Sequence, residues 1–219
     1  MIRALLTIDD VSSENTPAIV DYLNEKNIHA IMFMVGEWAE KHPAELIYAL
    51  QYGMIVGNHS YTHPHFSEIS FEEAVCEIEK NEETLNKFYS EAGVERKYRP
   101  FRFPYGDKGG ANKEQIQKYL SEKGFDKVDD TKFDYPFWKA EGHDKDIDTF
   151  WTFDFAEYNI RQGSGFGPDD VMKRIHDPEP EDGAPILKDG PNHLILLHAH
   201  DDTEDLVPEY YKIFIEELL

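Results

Sequence analysis

The sequence has few of the features that mark disulfide-stabilised, exported or membrane-spanning proteins. Its single cysteine, Cys76, excludes an intramolecular disulfide framework. No apolar run approaches the roughly 20 residues of a membrane-spanning helix, and the N-terminus shows no secretory signal. The chain as given is therefore expected to be cytoplasmic, without membrane insertion, although a domain trimmed from a secreted or cell-surface protein would look the same.

Positive charge is also scarce. The chain carries 22 Lys and Arg residues against 44 Asp and Glu residues, so its formal net charge is −22. Nucleic-acid binding depends on clustered cations that displace counterions, and this composition disfavours it. Polyanionic glycans and anionic membranes are disfavoured for the same reason, whereas neutral or cationic partners are compatible with the charge. Composition does not decide the oligomeric state.

The hydrophobic and aromatic content of the chain is typical of one globular domain over residues 1–219. Hydrophobic residues make up 40% of the chain and aromatic residues 13%, which is the composition of a packed fold. Apolar runs typical of strands alternate with amphipathic helical patterns, and this alternation predicts an α/β fold with a parallel, barrel-like sheet. Strands are predicted at 3–9, 30–35, 54–59, 98–105, 148–154 and 193–198, and helices from Thr16, over 44–52, from the capping box Ser70–Glu73, and over 112–123 and 206–219.

Two stretches interrupt the alternation. Residues 126–147 are acidic and aromatic, and residues 162–192 are rich in proline and glycine. Both are predicted to be loop-rich insertions.

Polar clusters follow the predicted strands at their carboxyl ends. In (β/α) barrels this end of the sheet builds the active site, so the clusters are expected to converge on one site. They are Asp9-Asp10, His59 to His63, Arg102 to Gly106, Asp154 to Glu157, and His198.

The histidine cluster has the spacing of a metal site. If the chain turns helically after the strand, the rings of His59 and His63 lie within reach of one ion, about 5–6 Å apart, although Pro64 disfavours helical geometry at His63. Two imidazoles and one carboxylate leave a position open on zinc, which is the catalytic pattern. The alternative is a pair of hydrogen-bonded loop histidines. His65 lies off that face and is expected to be exposed or outside the ligand set.

The carboxylate is expected from the adjacent aspartates at the end of the first strand. Successive strand residues point in opposite directions, so Asp9 and Asp10 cannot face an ion equivalently. One can bind the ion while the other stands beside the bound water. A plain cap on the following helix is the alternative interpretation.

Five motifs resemble those of a known family, the polysaccharide deacetylases, also called NodB-type or family 4 carbohydrate esterases. They occur in the family's order, and the family's fold is a distorted (β/α) barrel. In this chain the motifs are TIDD (7–10), HSYTH (59–63), RFPYG (102–106), WTFDFAEY (151–158) and LLH (196–198), similar to T-F-D-D, H-S-x-x-H, R-x-P-Y-G, W-x-x-D-x-x-D-W and L-x-H.

The resemblance implies that Asp10, His59 and His63 bind a divalent metal ion and that Asp9 is the catalytic base. Such an ion lowers the pKa of its water to about 7, so that a nearby carboxylate can complete the deprotonation. Mixed nitrogen and oxygen ligands suit zinc best, with cobalt, manganese and nickel as alternatives.

The resemblance also assigns the remaining catalytic groups. Arg102 would hold Asp9 ionised, the backbone N–H of Tyr105 would stabilise the oxyanion, and His198 would protonate the leaving amine. The family usually has Asp-Trp where this chain has Glu157-Tyr158. Glu157 would tune His198 through a longer side chain, and Tyr158 would shield it less than tryptophan does.

Substrate contacts are assigned less directly. Tyr105 and Tyr158 are expected to touch the substrate, and Trp138, with neighbouring aromatic residues of the first insertion, is a candidate for a sugar-stacking wall. A satellite hydrophobic cluster is the alternative for Trp138. His200 has no counterpart in the family's motif and is interpreted as incidental rather than as a ligand.

The predicted activity is therefore a metal-dependent hydrolase that removes N-acetyl groups from an N-acetylated aminosugar glycan. Water attacks the amide, an aspartate acts as base and a histidine acts as acid. One alternative is a cytoplasmic amide or imide hydrolase, such as a sugar deformylase, on the same scaffold. A second is a non-catalytic glycan-binding module, against which the presence of both Asp9 and His198 argues.

Overall fold

A computed structural model describes residues 3–219 of the chain. Within these residues, a five-stranded sheet has the order β3-β2-β1-β5-β4, and all its strand pairs are parallel. The central strand is buried from Leu6 to Val11, as expected for a parallel sheet covered on both faces. The strands are β1 Arg3–Val11, β2 Ala30–Met34, β3 Ile55–Asn58, β4 Phe153–Asp154 and β5 Asn192–His198.

Helices follow most of the strands and cover the sheet. The longest, α4, begins at the predicted capping box, because the Ser70 hydroxyl accepts from the Glu73 N–H while the Glu73 carboxylate accepts from the Ser70 N–H. The helices are α1 Thr16–Glu25, α2 Gly36–Ala39, α3 Pro43–Gln51, α4 Phe71–Ala92, α5 Lys113–Glu122, α6 Pro136–Ala140, α7 Pro168–His176, α8 Asp201–Leu206 and α9 Tyr210–Glu216. Over residues 3–219, none of these helices has the length and apolarity needed to cross a bilayer.

Irregular backbone rather than a sixth strand connects the two edges of the sheet. Asn58 donates its N–H to the Pro100 carbonyl at 2.9 Å, and Thr149 donates to the Phe101 carbonyl at 2.7 Å. The predicted strand at 98–105 is therefore wrong, because only a single bridge forms at Phe101. Pro100 and Pro104 flank this bridge and lack the N–H groups that a longer ladder needs. The result is the distorted barrel that was predicted.

The first insertion contains α6 and a small hydrophobic cluster of its own. Trp138 is only 3% exposed and packs with Phe133 and Tyr135, while its indole N–H donates to Asp130 at 2.8 Å. The prediction that Trp138 contacts substrate is wrong, because burying its large apolar ring within the insertion keeps it away from the open surface.

The other departures lie near the C-terminus. The second insertion contains α7, and the helix predicted over 206–219 begins only at Tyr210, as α9, while a separate helix, α8, ends before it at Leu206. Pro208 cannot donate a helical hydrogen bond, which accounts for the break.

Two clusters of buried side chains support the carboxyl ends of the strands. The larger one fills the space between the sheet and its helices and includes Ile8, Met32 and Leu197. The second lies under the RFPYG segment and includes Phe101 and Phe103. Phe103 is 1% exposed and packs edge-on against Phe101.

Candidate metal and active site

Residues at the ends of four strands, together with residues of the neighbouring segments, line one cavity of about 340 Å3, hereafter the site cavity. Parallel strands end on the same edge of the sheet, so the ends of β3, β1, β5 and β4 lie along that edge. Its lining includes Asp9, Asp10, His59, His63, Tyr105, Tyr158 and His198, together with Trp38, Trp151, Asp154, Arg161 and His200.

A local irregularity in β1 brings both aspartates to this cavity. Asp10 takes the left-handed conformation, with φ of 66°, and the pairing of β1 with β2 shifts register between Ile8 and Val11. Aspartate tolerates this conformation better than most residues do. Asp9 Oδ2 and Asp10 Oδ1 consequently lie 3.4 and 3.7 Å from the same atom, Nε2 of His59.

His59 and His63 also meet, but not through a helical turn. Ser60 and His63 have φ of 64° and 60°, and the Ser60 hydroxyl accepts from the His63 N–H at 3.1 Å. The ring centroids are 4.9 Å apart. The helical turn that would have brought the two rings together does not form, and two left-handed residues bring them together instead.

The buried side-chain amide of Asn58, which no sequence motif indicated, holds this loop. Asn58 Oδ1 accepts from the Ser60 N–H at 2.8 Å, and Asn58 Nδ2 donates to the Glu82 carboxylate at 3.0 Å. Asn58 is fully buried. Its place directly before His59 is the only signal in the sequence that could have pointed to this role.

The donor set of Asp10, His59 and His63 fits a divalent cation. One donor atom from each residue lies within 4.8 Å of the others, and Asp10 Oδ1 is buried without a hydrogen-bond partner in residues 3–219. His59 Nδ1 lies 2.8 Å from the Arg102 carbonyl. Since a carbonyl only accepts, Nδ1 carries the proton and Nε2 is left as the donor atom, the arrangement found for metal-binding histidines.

Electrostatics keep these groups in the protonation states that metal binding needs. Burial by itself raises the pKa of Asp10, but the hydrogen bond from His200 and the charges of His198, His59 and His63 outweigh burial and hold that pKa well below its usual range. Burial, followed by the nearby His59, lowers the pKa of His63 to about 4. At neutral pH the site therefore offers a carboxylate and a neutral imidazole.

Arg102 holds the second aspartate. Its Nη1 donates to Asp9 Oδ1 at 2.7 Å and to the Thr7 hydroxyl at 2.8 Å, and its Nε donates to the Thr149 carbonyl. Arg102 is 1% exposed, so this ion pair is shielded from water. Asp9 is thereby fixed with one oxygen on the arginine and the other toward His59.

His198 and Glu157 form a second buried pair. The Glu157 carboxylate accepts from the His198 backbone N–H and lies 3.1 Å from Nδ1 of its ring. Burial disfavours the charged ring, but Glu157, with help from Asp154 and Asp10, outweighs it and raises the pKa of His198 to about 10. The Tyr158 ring packs edge-on against His198 at 4.8 Å. Glu157 therefore contacts the histidine directly, as predicted for its longer side chain.

Tyr105 lies in a tight turn at the mouth of the cavity. Its φ is 59° within the turn Pro104–Gly106, and its side chain is 59% exposed. Its ring stacks on His65 at 3.9 Å and lies 4.5 Å from the His63 ring. His65 is about half exposed, as expected, and lies outside the ligand cluster.

Two groups in the site were not predicted. His200 Nε2 lies 2.6 Å from Asp10 Oδ2, so this histidine is not incidental. Trp38 also lines the site cavity, and an isolated tryptophan carries no spacing signal that would have revealed it, whereas Trp151, which lines the cavity too, opens the WTFDFAEY motif.

A sequence model of the family described as Polysaccharide deacetylase matches residues 2–128, more than half of the chain. Among the curated relatives, a peptidoglycan-N-acetylglucosamine deacetylase of Bacillus cereus is 39% identical over 103 residues, which are 47% of this chain and 36% of that protein. The matched stretches cover between 21% and 36% of the length of the first three curated relatives.

Solved structures share the fold. A crystal structure of a peptidoglycan N-acetylglucosamine deacetylase superposes with a TM-score of 0.67 at 24% identity, covering 99% of this chain and 81% of that one. A protein of Bacillus anthracis described as a family 4 carbohydrate esterase pseudoenzyme gives 0.64 at 20% identity, covering 98% and 61%. At these identities the likeness concerns architecture, which confirms the predicted fold class.

Proposed function

Because the chain belongs to the polysaccharide deacetylase family, a metal-dependent family, we propose that it hydrolyses N-acetyl groups on an N-acetylated aminosugar glycan. The observation that carries this proposal is the cluster of Asp10, His59 and His63, whose donor atoms lie within 4.8 Å of one another, next to Asp9, which Arg102 holds. The family assignment expected from the five motifs is confirmed.

The metal site supplies one part of the chemistry. A divalent cation held by Asp10, His59 and His63 would act as a Lewis acid on a water molecule and on the substrate carbonyl. Zinc is the ion that this donor set suits best, and cobalt, manganese and nickel are the alternatives to be compared.

Asp9 takes the proton from the attacking water. Arg102 occupies Asp9 Oδ1 at 2.7 Å, which leaves Oδ2 as the proton acceptor on the side of His59. The water oxygen adds to the amide carbonyl carbon, and the backbone N–H of Tyr105 stabilises the developing oxyanion. Loss of one such donor costs about 3–4 kcal/mol of transition-state stabilisation in other hydrolases.

His198 completes the reaction as the acid. With a pKa raised to about 10 by Glu157, its ring is protonated at neutral pH. Glu157 engages Nδ1, so Nε2 is the nitrogen that donates the proton to the leaving nitrogen as the C–N bond breaks. Acetate and the free amine of the sugar are the products.

The shape of the site supports a chain substrate over a small molecule. The site cavity shares Trp151 and Tyr158 with a neighbouring cavity of about 480 Å3, and it shares Trp38 and Arg161 with another of about 350 Å3. The shared residues make the three cavities neighbours along the carboxyl edge of the sheet, which supports a substrate longer than one sugar. Partly exposed aromatic rings along a groove suit the apolar faces of sugar rings, and Tyr105 and Tyr158 are the proposed contacts at the reacting sugar.

Acetate release from N-acetylglucosamine oligomers of increasing length tests the proposal. The protein is freed of metal with a chelator, reloaded with each of the four ions, and assayed beside an Asp9→Asn variant. We expect release that increases with oligomer length, and loss of release in Asp9→Asn with unchanged metal content. Asp205→Asn, at an exposed position, serves as the matched control.

Three outcomes would contradict the proposal. Metal binding without acetate release from any N-acetylated glycan would remove the substrate assignment. Activity confined to small amides would favour the deformylase-like alternative. Glycan binding without turnover would favour the non-catalytic module.

A further inference from the structure

We propose that His200 is a positioning residue that holds Asp10 in the orientation needed to bind the metal ion. The inference rests on the metal site of the proposed function. His200 Nε2 lies 2.6 Å from Asp10 Oδ2. The other oxygen, Oδ1, lies 3.4 Å from His63 Nε2 and 3.7 Å from His59 Nε2. The hydrogen bond from His200 therefore presents Oδ1 to the two imidazoles.

Geometry distinguishes this role from that of a ligand. His200 contacts the oxygen that does not face the histidine pair, and a carboxylate is a pure acceptor, so the ring N–H points at Oδ2. Among the described residues 3–219, the donor cluster that includes Asp10 consists of Asp10, His59 and His63 without His200. Oδ1 is the buried oxygen that lacks a partner. Asp10 is thus prepared to bind through one oxygen.

The surrounding structure keeps His200 in place. Its backbone N–H donates to the Tyr210 hydroxyl at 3.1 Å, and that hydroxyl donates to the His198 carbonyl. Asn15 donates to the His200 carbonyl at 3.4 Å. Since Tyr210 is fully buried in α9, the segment that follows β5 is anchored on the body of the fold.

Asp10 needs such a partner because its backbone is unusual. The residue has φ of 66° at the point where β1 loses register with β2, so no regular strand neighbour restrains its side chain. Without the hydrogen bond, the carboxylate would rotate among its rotamers, and metal binding would have to restrict that motion. His59 shows the same design, since the Arg102 carbonyl fixes the nitrogen that does not face the cluster.

Metal affinity, measured independently of activity, tests the assignment. Zinc dissociation constants are obtained by competition with a chromophoric chelator for the wild type, His200→Ala, His200→Asn and His200→Gln. His176→Ala is the control, because His176 pairs with the distant Glu217. We expect His200→Ala and His200→Asn to weaken zinc binding by about 10–100-fold, the usual effect of removing such a partner.

The His200→Gln variant tests whether a side-chain N–H at the same position restores zinc affinity. Its amide nitrogen lies near the position of the histidine Nε2, whereas the asparagine amide falls short of Oδ2. His200→Gln should therefore recover most of the affinity, and His176→Ala should leave it unchanged. Should His200→Ala fail to fold, the comparison of His200→Asn with His200→Gln keeps the test intact.

The visible spectrum of the cobalt-loaded protein separates positioning from direct ligation. At saturating cobalt, a positioning role leaves the ligand-field bands of His200→Asn like those of the wild type. A zinc affinity equal to that of the wild type in both His200→Ala and His200→Asn would overturn the inference, and so would altered cobalt bands at saturation. Because neither measurement uses a glycan, failure here is distinct from failure of the deacetylase proposal.

Discussion

Replacement of Glu157 with glutamine removes the buried negative charge beside His198 and keeps the shape of the side chain. The amide oxygen can still accept from the Nδ1 proton of the ring, which the carboxylate now approaches at 3.1 Å. The perturbation therefore changes the charge next to the proposed acid with little change in packing, since residue 157 is fully buried.

The surroundings of His198 allow the expected change in its pKa to be estimated. The pKa of His198 rises from 6.5 to about 10, although burial opposes the rise, and Glu157 is its foremost cause. That rise corresponds to roughly 5 kcal/mol in favour of the protonated ring. A single opposite charge in contact typically moves a pKa by about one to three pH units. We therefore expect Glu157→Gln to lower the pKa of His198 by this amount, with Asp154 and Asp10 supplying the remainder.

The assay is the pH dependence of kcat/KM for acetate release at saturating zinc. A general acid must be protonated, so the rate falls as pH rises through its pKa. In Glu157→Gln the alkaline limb should move to lower pH by about one to three pH units. NMR of carbon-labelled imidazoles measures the pKa of His198 directly. Glu79→Gln, a surface change at a partner of Lys123, is the matched control.

Two results would contradict the proposed role of the Glu157 charge. If the pKa of His198 measured by NMR is unchanged in Glu157→Gln, the Glu157 charge is not what keeps the ring protonated. If the pKa falls while the alkaline limb stays in place, another group is the acid.

Three further predictions concern stability, measured as the free energy of unfolding in urea. Arg102→Met leaves the Asp9 carboxylate buried without its cation and should cost about 3–5 kcal/mol, whereas Lys87→Met at an exposed position should cost little. Ser70→Ala removes the cap of α4 and should cost about 1 kcal/mol; no loss would mean that the cap is replaced by water. Burial lowers the pKa of His193 from 6.5 to about 4, so the unfolded chain takes up the proton first as the pH falls. The free energy of unfolding should therefore hold the full contribution of His193 above pH 6.5 and lose up to roughly 3 kcal/mol as the pH falls toward 4. If the His193→Gln variant shows the same dependence of unfolding free energy on pH as the wild type, this prediction is wrong.

Local signals predicted the elements that depend on nearby residues. The capping box at Ser70 and Glu73 marked the start of α4 because both of its hydrogen bonds join residues three apart. The apolar runs of β1, β2 and β5 marked strands because a parallel sheet covered on both faces buries every position. The predicted strand at 98–105 failed because prolines interrupt a run that is apolar for another reason, the burial of Phe101 and Phe103.

The sequence predicted which residues line the site cavity, but it did not predict the backbone conformations that bring their side chains together. Asp9, Asp10, His59, His63 and His198 do line one cavity, as their places at strand ends indicated. The means by which they meet were not predicted. Left-handed conformations at Asp10, Ser60 and His63 bring the side chains together, and no pattern of periodicity in the sequence encodes such single-residue turns.

Residue patterns alone predicted the strands β1, β2, β3 and β5, the helices α1, α3, α4 and α5, most of the polar residues that line the site cavity and the family to which the chain belongs. These follow from hydrophobic periodicity and from short motifs, which neighbouring residues specify. Three features became visible only in the folded chain: Trp138 is buried in a hydrophobic cluster, Glu157 contacts His198, and His200 contacts Asp10, which is 190 positions away in the sequence. Contacts of this kind depend on packing between segments that are distant in the sequence. The pKa shifts of the buried groups depend on these contacts, because burial and neighbouring charges cause the shifts.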